Sequence, residues 1–143
     1  MIEIISNSPD ETAALGKQIA NSLSAGSIVA LNGKLGSGKT NLAKGLAIGL
    51  NITETITSPT YTIINEYYRG DSPVFYHIDV YRLNGEKDFA DIGGLEIIYS
   101  NGISVIEWSE RIQNSLPPET ITVSLEVTGL TSRKIIITGL KKI

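Results

Sequence analysis

Gly33, Gly38, Lys39 and Thr40 stand at the spacing G-x-x-x-x-G-K-[ST], and residues of these types at this spacing capture a polyphosphate. A di- or triphosphate carries several negative charges that must be met at short range, so the backbone itself has to approach it. Glycines at 33, 36 and 38 permit that approach and the positive φ angles of a tight loop. Successive N–H groups from Gly33 through Leu35, Gly36, Ser37 and Gly38 form a concave anion nest, and the helix beginning near Lys39 turns its positive end toward the phosphates. Lys39 is expected to reach the β/γ-phosphate oxygens and the Thr40 hydroxyl to ligate magnesium, with Asn41 closing the binding segment.

Three later segments carry matching chemistry. In Thr57-Ser58-Pro59-Thr60-Tyr61, Pro59 fixes its own φ and pushes Ser58 toward extended geometry, holding the hydroxyls of Ser58 and Thr60 at defined angles. Such a segment contacts a γ-phosphate or its metal in nucleotide-dependent switches, and it equally reads as a rigid turn into a strand. The mostly apolar run from Val74 ends in Asp79, an arrangement that sets a carboxylate beside bound magnesium or its water shell. Arg82 follows, to pair with Asp79, with phosphate, or in an ordinary surface ion pair. The run from Ile103 ends in Glu107, a candidate for holding metal or orienting an attacking water. Trp108 reads either as a core residue or as a partner contact. His77, the sole histidine, lies within a strand and reads as a packed structural residue rather than an acid/base.

These groups need elements to position them. The pattern predicts a short strand at Ile2 to Ile5, then a helix capped by Ser8, with Pro9 at its first position and Glu11 completing a capping box. Leu15, Ile19 and Leu23 give that helix an apolar stripe, and Gly26 ends it. Ser27 to Asn32 reads as a central parallel strand feeding the loop, and Lys39 to Leu50 as the helix after it, with Asn51 as a left-handed cap. Tyr61 to Tyr68 and Val74 to Val80 read as strands joined by a turn-rich linker from Arg69 to Pro73. Short helices are expected near Glu86 to Ala90, Leu95 to Tyr99 and Ser109 to Ser115. Thr120 to Val127 and Arg133 to Thr138 alternate as a hairpin that extends the sheet. Arg133 and Lys134 lie at its strand end, to cover an adenine face through cation–π contact or simply to be solvated. The expected class is therefore α/β: a three-layer P-loop NTPase-like fold whose mixed, largely parallel sheet is flanked by helices and extended by antiparallel strands.

A chain of 143 residues suits one domain with a real core, here expected to span 1–143. There is no cysteine, hence no disulfide partner and no thiolate metal site. No apolar run approaches membrane-spanning length and the first residues do not resemble a signal peptide, so a soluble cytoplasmic protein is expected. A net charge of -3 and a pI near 5.1 have the wrong sign for gripping nucleic acid through phosphates alone, so contact with RNA would be indirect or weak. Asp91-Ile92-Gly93-Gly94 fits the D-x-x-G of GTPases, but no apolar strand precedes Asp91 and no N-K-x-D occurs, so the GTPase reading is rejected.

Gly-x-Leu-Gly-Ser-Gly-Lys-Thr, Thr-Ser-Pro-Thr-Tyr, Tyr-His-Ile-Asp-Val-Tyr-Arg-Leu and Val-Ile-Glu-Trp, in this order, resemble the TsaE (YjeE) family of small P-loop ATPases of bacterial tRNA threonylcarbamoyladenosine synthesis. The resemblance runs from the capped first helix to Arg133. It implies ATP and magnesium as ligands, TsaB and TsaD as partners, and ATP hydrolysis that resets the modifying complex between turnovers. It assigns Lys39 and Thr40 to phosphate and magnesium, Ser58 to Tyr61 to a first switch, Asp79 to Arg82 to a second, and Glu107 with Trp108 to the metal edge and partner surface. Lys34 stands where the family usually has Asp, and Asn41 where it usually has Thr. Slow intrinsic turnover is expected, since Arg82 is the one candidate for an arginine finger in cis. Two other readings share the loop: a small-molecule or nucleoside kinase, and a nucleotide-dependent assembly switch with negligible turnover.

Overall fold

A computed structural model describes residues 1–143. One seven-stranded sheet runs through it in the order β1-β7-β6-β2-β5-β4-β3. The strands are β1 (Ile2–Ser6), β2 (Ile28–Asn32), β3 (Ile64–Arg69), β4 (Ser72–Asp79), β5 (Ile103–Glu107), β6 (Ile121–Val127) and β7 (Arg133–Thr138). Strands β6, β2, β5 and β4 are mutually parallel, while β3 on one edge and β7 with β1 on the other run antiparallel to their neighbours. The expected mixed sheet, parallel at its centre, is what forms. The continuous apolar run Ile28 to Leu31 is buried throughout because helices cover both faces.

Helices α1 (Pro9–Ala20) and α2 (Lys39–Gly49) lie on one face over Val29, Leu31, Val105 and Val123. On the other, α3 (Glu86–Asp91), α4 (Gly94–Ile98) and a 3₁₀ helix at Ser109–Ser115 enclose Ile78, Phe89, Ile98, Ile106 and Ile112. No helix is long and apolar enough to cross a membrane.

Local departures from the expected boundaries have identifiable causes. Ser8 caps α1 by accepting from the Glu11 N–H at 3.1 Å, but the Glu11 carboxylate reaches back to the N–H of Asn7, one residue before the cap. The helix stops at Ala20 rather than Leu23, because Asn21, Ser22 and Leu23 close i→i+3 turns onto Gln18, Ile19 and Ala20. Strand β3 begins at Ile64 rather than Tyr61: the Ile63 N–H turns back to the Pro59 carbonyl at 2.8 Å, and Ile63 has φ 68°. Register pairs Arg69 with Ser72, so the expected five-residue linker shrinks to a two-residue turn, followed by a bulge at Val74, beside Pro73, which has no N–H for the ladder.

The two helices beside the loop pack through glycine. A Cβ at Gly45 would sit 2.0 Å from the Ala13 carbonyl oxygen and one at Gly16 2.3 Å from that of Leu42, so the helix backbones approach more closely than any side chain allows. Gly45→Ala is therefore expected to lower stability by about 2 kcal/mol despite the better helix propensity of alanine. Denaturant unfolding checks this, and an unchanged midpoint at equal slope would reject it.

Candidate functional site

The face that α1 and α2 cover is apolar in its middle and turns polar at the carboxyl ends of the parallel strands. His77 and Asp79 on β4 share that face by the two-residue strand period, and Asp79 is in register with Glu107 of β5. The loop after β2 brings α2 onto this edge, with Gly38 at φ 100° supplying the left-handed residue from which the helix starts.

Lys39, only 5% exposed, folds its ammonium back to donate to the Gly33 carbonyl and, at 3.4 Å, to that of Lys34. Its charge also lies 3.5 Å from the centre of the Trp108 ring. Burial pulls the Lys39 pKa below the ordinary lysine value, against the opposing pull of the carboxylates of Glu107, Glu110 and Asp79. The Thr40 hydroxyl donates to both oxygens of the buried Glu107, at 3.0 and 3.1 Å. Asp79, 6% exposed, accepts from the Tyr81 N–H at 2.9 Å. Burial raises its pKa above the usual aspartate value, a push that the Tyr81 bond partly offsets and the Glu107 charge adds to.

These groups border one open cavity of about 350 Å³. Its floor is the loop from Leu35 through Gly36, Ser37 and Gly38 to Lys39, Thr40 and Asn41, and its far wall is Thr60, Asp79 and Glu107. Ser58 and Trp108 complete the rim, with Ser58 and Thr60 hydroxyls hydrogen-bonded at 2.6 Å. Residues as distant in the chain as Leu35 and Trp108 thus converge on one place, and Thr40 and Glu107, 67 residues apart, bond directly.

Several expected residues play other parts. Gly33 lies behind the cavity, where its carbonyl holds Lys39. The Asn41 amide is bound to the Pro9 carbonyl at 2.6 Å. Lys34 is exposed and lines a neighbouring hollow with Glu126 rather than the cavity, so the charge it introduces does not stand among the loop's phosphate-facing groups. Arg82 pairs with neither Asp79 nor a loop group but stacks on Tyr61 at 4.4 Å. Trp108, half-buried at φ 62°, packs on Tyr81 with ring centres 4.8 Å apart.

Arg133 lies against the back of the loop, donating to the carbonyls of Ser37 and Gly36, each at 3.1 Å, and to those of Ser132 at 2.8 Å and Gly129 at 3.2 Å. With its guanidinium held by four carbonyls, it buttresses the loop from outside the cavity. In a trans peptide the C=O and the following N–H point opposite ways, so holding the Ser37 carbonyl outward aims the Gly38 N–H inward.

Sequence reasoning missed His77 as part of the site. Its Nε2 lies 2.5 Å from Glu107 Oε2. The signal was available in the strand period, which sets His77 on the face of Asp79.

The buried Asp79 carboxylate has a consequence for stability. Its pKa is raised on folding, so the folded chain holds the proton more tightly than the unfolded one; the contribution is present at low pH and lost as pH rises through the folded value. At neutral pH the ionised group therefore costs stability. Asp79→Asn, which keeps the acceptor for Tyr81, is expected to raise the thermal midpoint at pH 7, with the gain fading as pH falls toward about 4. A midpoint unchanged or lowered at pH 7 would reject this account.

Comparison with known proteins identifies the family and the fold. Residues 6–135 match the family described as "Threonylcarbamoyl adenosine biosynthesis protein TsaE". The chain is 46% identical over 131 residues to a Treponema pallidum protein named tRNA threonylcarbamoyladenosine biosynthesis protein TsaE, covering 92% of this chain and 96% of that one. A Bacillus subtilis protein of the same name is 40% identical over 131 residues, covering 92% and 81% respectively. The crystal structure of Bacillus subtilis YdiB superposes with a TM-score of 0.76 at 34% identity, over 94% of this chain and 82% of that one. With a family match across most of its length and the same fold in a solved relative, the chain belongs to the TsaE family.

Proposed function

We propose that this chain binds and slowly hydrolyses ATP with magnesium, as the ATPase component of the machinery that makes threonylcarbamoyladenosine beside the anticodon of tRNA. Its relatives are named for that biosynthesis. The observation that carries the reading is the Thr40–Glu107 pair at the mouth of a glycine loop, lining one cavity together with Lys39. A hydroxyl and a carboxylate are hard oxygen ligands, and two of them suit magnesium, which keeps waters and substrate phosphates in its remaining positions. When bound, magnesium neutralises charge on the phosphate oxygens.

In this reading the loop N–H groups and Lys39 hold the phosphates, Thr40 and Glu107 hold the cation with Asp79 beside its water shell, and Thr60 with the segment after Asp79 senses the terminal phosphate. Little covalent chemistry is asked of the protein, since phosphoryl transfer depends on positioning and charge neutralisation. No arginine lines the cavity, whereas a kinase lid would bring one to it. Arg69 donates to the Leu50 carbonyl beyond the far end of α2, while Arg82 and Arg111 rest on Tyr61 and Tyr81. TsaB and TsaD are the expected partners, with hydrolysis resetting their complex and tRNA met only through it. That work belongs in the cytoplasm.

The test is to incubate the chain with ATP and magnesium, alone and with TsaB and TsaD, and to follow phosphate released to water, phosphate passed to an acceptor, and threonylcarbamoyladenosine formed in tRNA. Release to water, faster with the partners and abolished by chelator, is expected. Transfer to an acceptor would favour the kinase, and nucleotide-dependent association without turnover the assembly switch.

A further inference from the structure

We propose that His77 is a positioning residue for Glu107, one that fixes which carboxylate oxygen is offered to the cation. The proposal rests on the ATP–magnesium reading of the site and adds to it a residue and an atom.

His77 is 0% exposed and stands on β4, diagonally across from Glu107 on β5. Its Nε2 lies 2.5 Å from Oε2, and a carboxylate has only acceptors to present, so Nε2 donates. The other ring nitrogen, Nδ1, is buried with no partner, so Glu107 is the only hydrogen-bonding contact that the ring makes. A buried imidazole with a single polar contact, made to a side chain of the site, is poorly explained by packing alone.

The bond breaks a symmetry. Thr40 shares one hydroxyl proton between Oε1 and Oε2, at 3.0 and 3.1 Å, and so hardly distinguishes them. The terminal torsion of glutamate is broad and nearly two-fold, so without a further partner a half-turn about the Cγ–Cδ bond would exchange the two oxygens at little cost. His77 engages Oε2 alone. Oε2 then accepts from two donors and Oε1 from one, which leaves Oε1 with the spare lone pair. The geometry therefore points to Oε1 as the atom that meets a cation or its water, with His77 holding the carboxylate in that rotamer. Groups that ligate metals are commonly oriented by such outer hydrogen bonds, and losing one typically costs tenfold or more in metal affinity or activity.

Two variants separate positioning from packing. His77→Leu fills the space without a donor, whereas His77→Gln restores an N–H near the position of Nε2. Trp108, the only tryptophan, lies against Lys39 at the rim of the cavity, so its fluorescence is the probe chosen for nucleotide binding. His77→Leu is expected to bind ATP in chelator as the wild type does. The magnesium concentration for half-maximal effect should rise about tenfold and turnover should fall about tenfold, with His77→Gln recovering most of both. Equal losses in the two variants, or an unchanged magnesium requirement in His77→Leu, would overturn the proposal. If the wild type binds magnesium–ATP but does not turn it over, the hydrolysis reading fails alone, and the magnesium dependence of binding still decides the role of His77. If the wild type binds neither, both fail. A measurement on the native ring covers the case of a variant that does not fold. As the sole histidine, His77 gives an unambiguous imidazole N–H resonance, which should be slow to exchange in the wild type and lost in Glu107→Ala. A wild-type ring with no protected N–H would overturn the proposal too.

Discussion

Glu107→Ala is expected to leave ATP affinity within about threefold of the wild type while hydrolysis falls roughly a hundredfold, the scale seen when one preorganised electrostatic group is removed from a reacting site. The separation follows from where Glu107 stands. Phosphate capture belongs to the loop N–H groups and Lys39, none of which Glu107 hydrogen-bonds; its bonds go to Thr40 and His77. Without the carboxylate, Thr40 keeps its hydroxyl but loses the acceptor that orients it, and the cation loses a negative ligand. Binding energy that is nearly the same in ground and transition states is spared, and stabilisation that grows as charge shifts toward the leaving oxygen is lost. Equilibrium nucleotide binding and single-turnover hydrolysis on the same preparation check this. Unchanged turnover would remove Glu107 from the chemistry, and a parallel collapse of affinity would make it a binding group instead.

How much of this was legible in the residues alone depends on the distance over which each feature is determined. Strand β2, the loop and α2 are contiguous, and their signals are local: an apolar run, glycines where the chain must turn, and a helix start. Their boundaries were accordingly close to those found. Asp79 and Glu107 were recognisable as carboxylates ending apolar strands, because strand ends in a parallel sheet share one edge. The His77–Glu107 bond was not legible, since it depends on β4 and β5 being neighbours, a fact of sheet order that neither segment carries. Arg133 illustrates the same limit, as its partners Gly36 and Ser37 lie 97 and 96 residues away. The Tyr61–Ile63 stretch was misread for a different reason. Its β-branched and aromatic composition favours a strand, but a single left-handed residue at Ile63 and the return bond to Pro59 override that propensity. That turn leaves Thr60 at the cavity wall, where a straight strand would have carried it along the sheet. Local preference loses here at the position the site needs.

Lys39→Met is the second large effect, and it is expected to separate function from stability in the opposite sense to an ordinary core substitution. Methionine keeps most of the stem's length and polarisable bulk beside Trp108 and deletes only the ammonium. ATP affinity should fall roughly a hundredfold, because charge-assisted hydrogen bonds to phosphate contribute about 1.5–3 kcal/mol each and no other cation lines the cavity. Stability of the nucleotide-free chain should nevertheless hold or rise. The Lys39 pKa is lowered on folding because burial disfavours the charged form, so the folded chain binds this proton less tightly than the unfolded one. For such a base, stability increases as pH climbs from the lowered value toward the ordinary one of 10.5, and at neutral pH the protonated lysine is a cost. The raised pKa of Asp79 tells the same story with the other sign of charge. The site holds an ammonium and a carboxylate, each short of water, and a magnesium–phosphate ligand would satisfy both. Bound nucleotide should therefore raise the thermal midpoint of the wild type by mass action and leave that of Lys39→Met nearly unmoved. Thermal unfolding of both proteins, with and without magnesium–ATP, tests the two halves together. A Lys39→Met chain that is clearly less stable without nucleotide, or that is still stabilised by nucleotide as strongly as the wild type, would show that the buried ammonium serves the fold rather than the ligand.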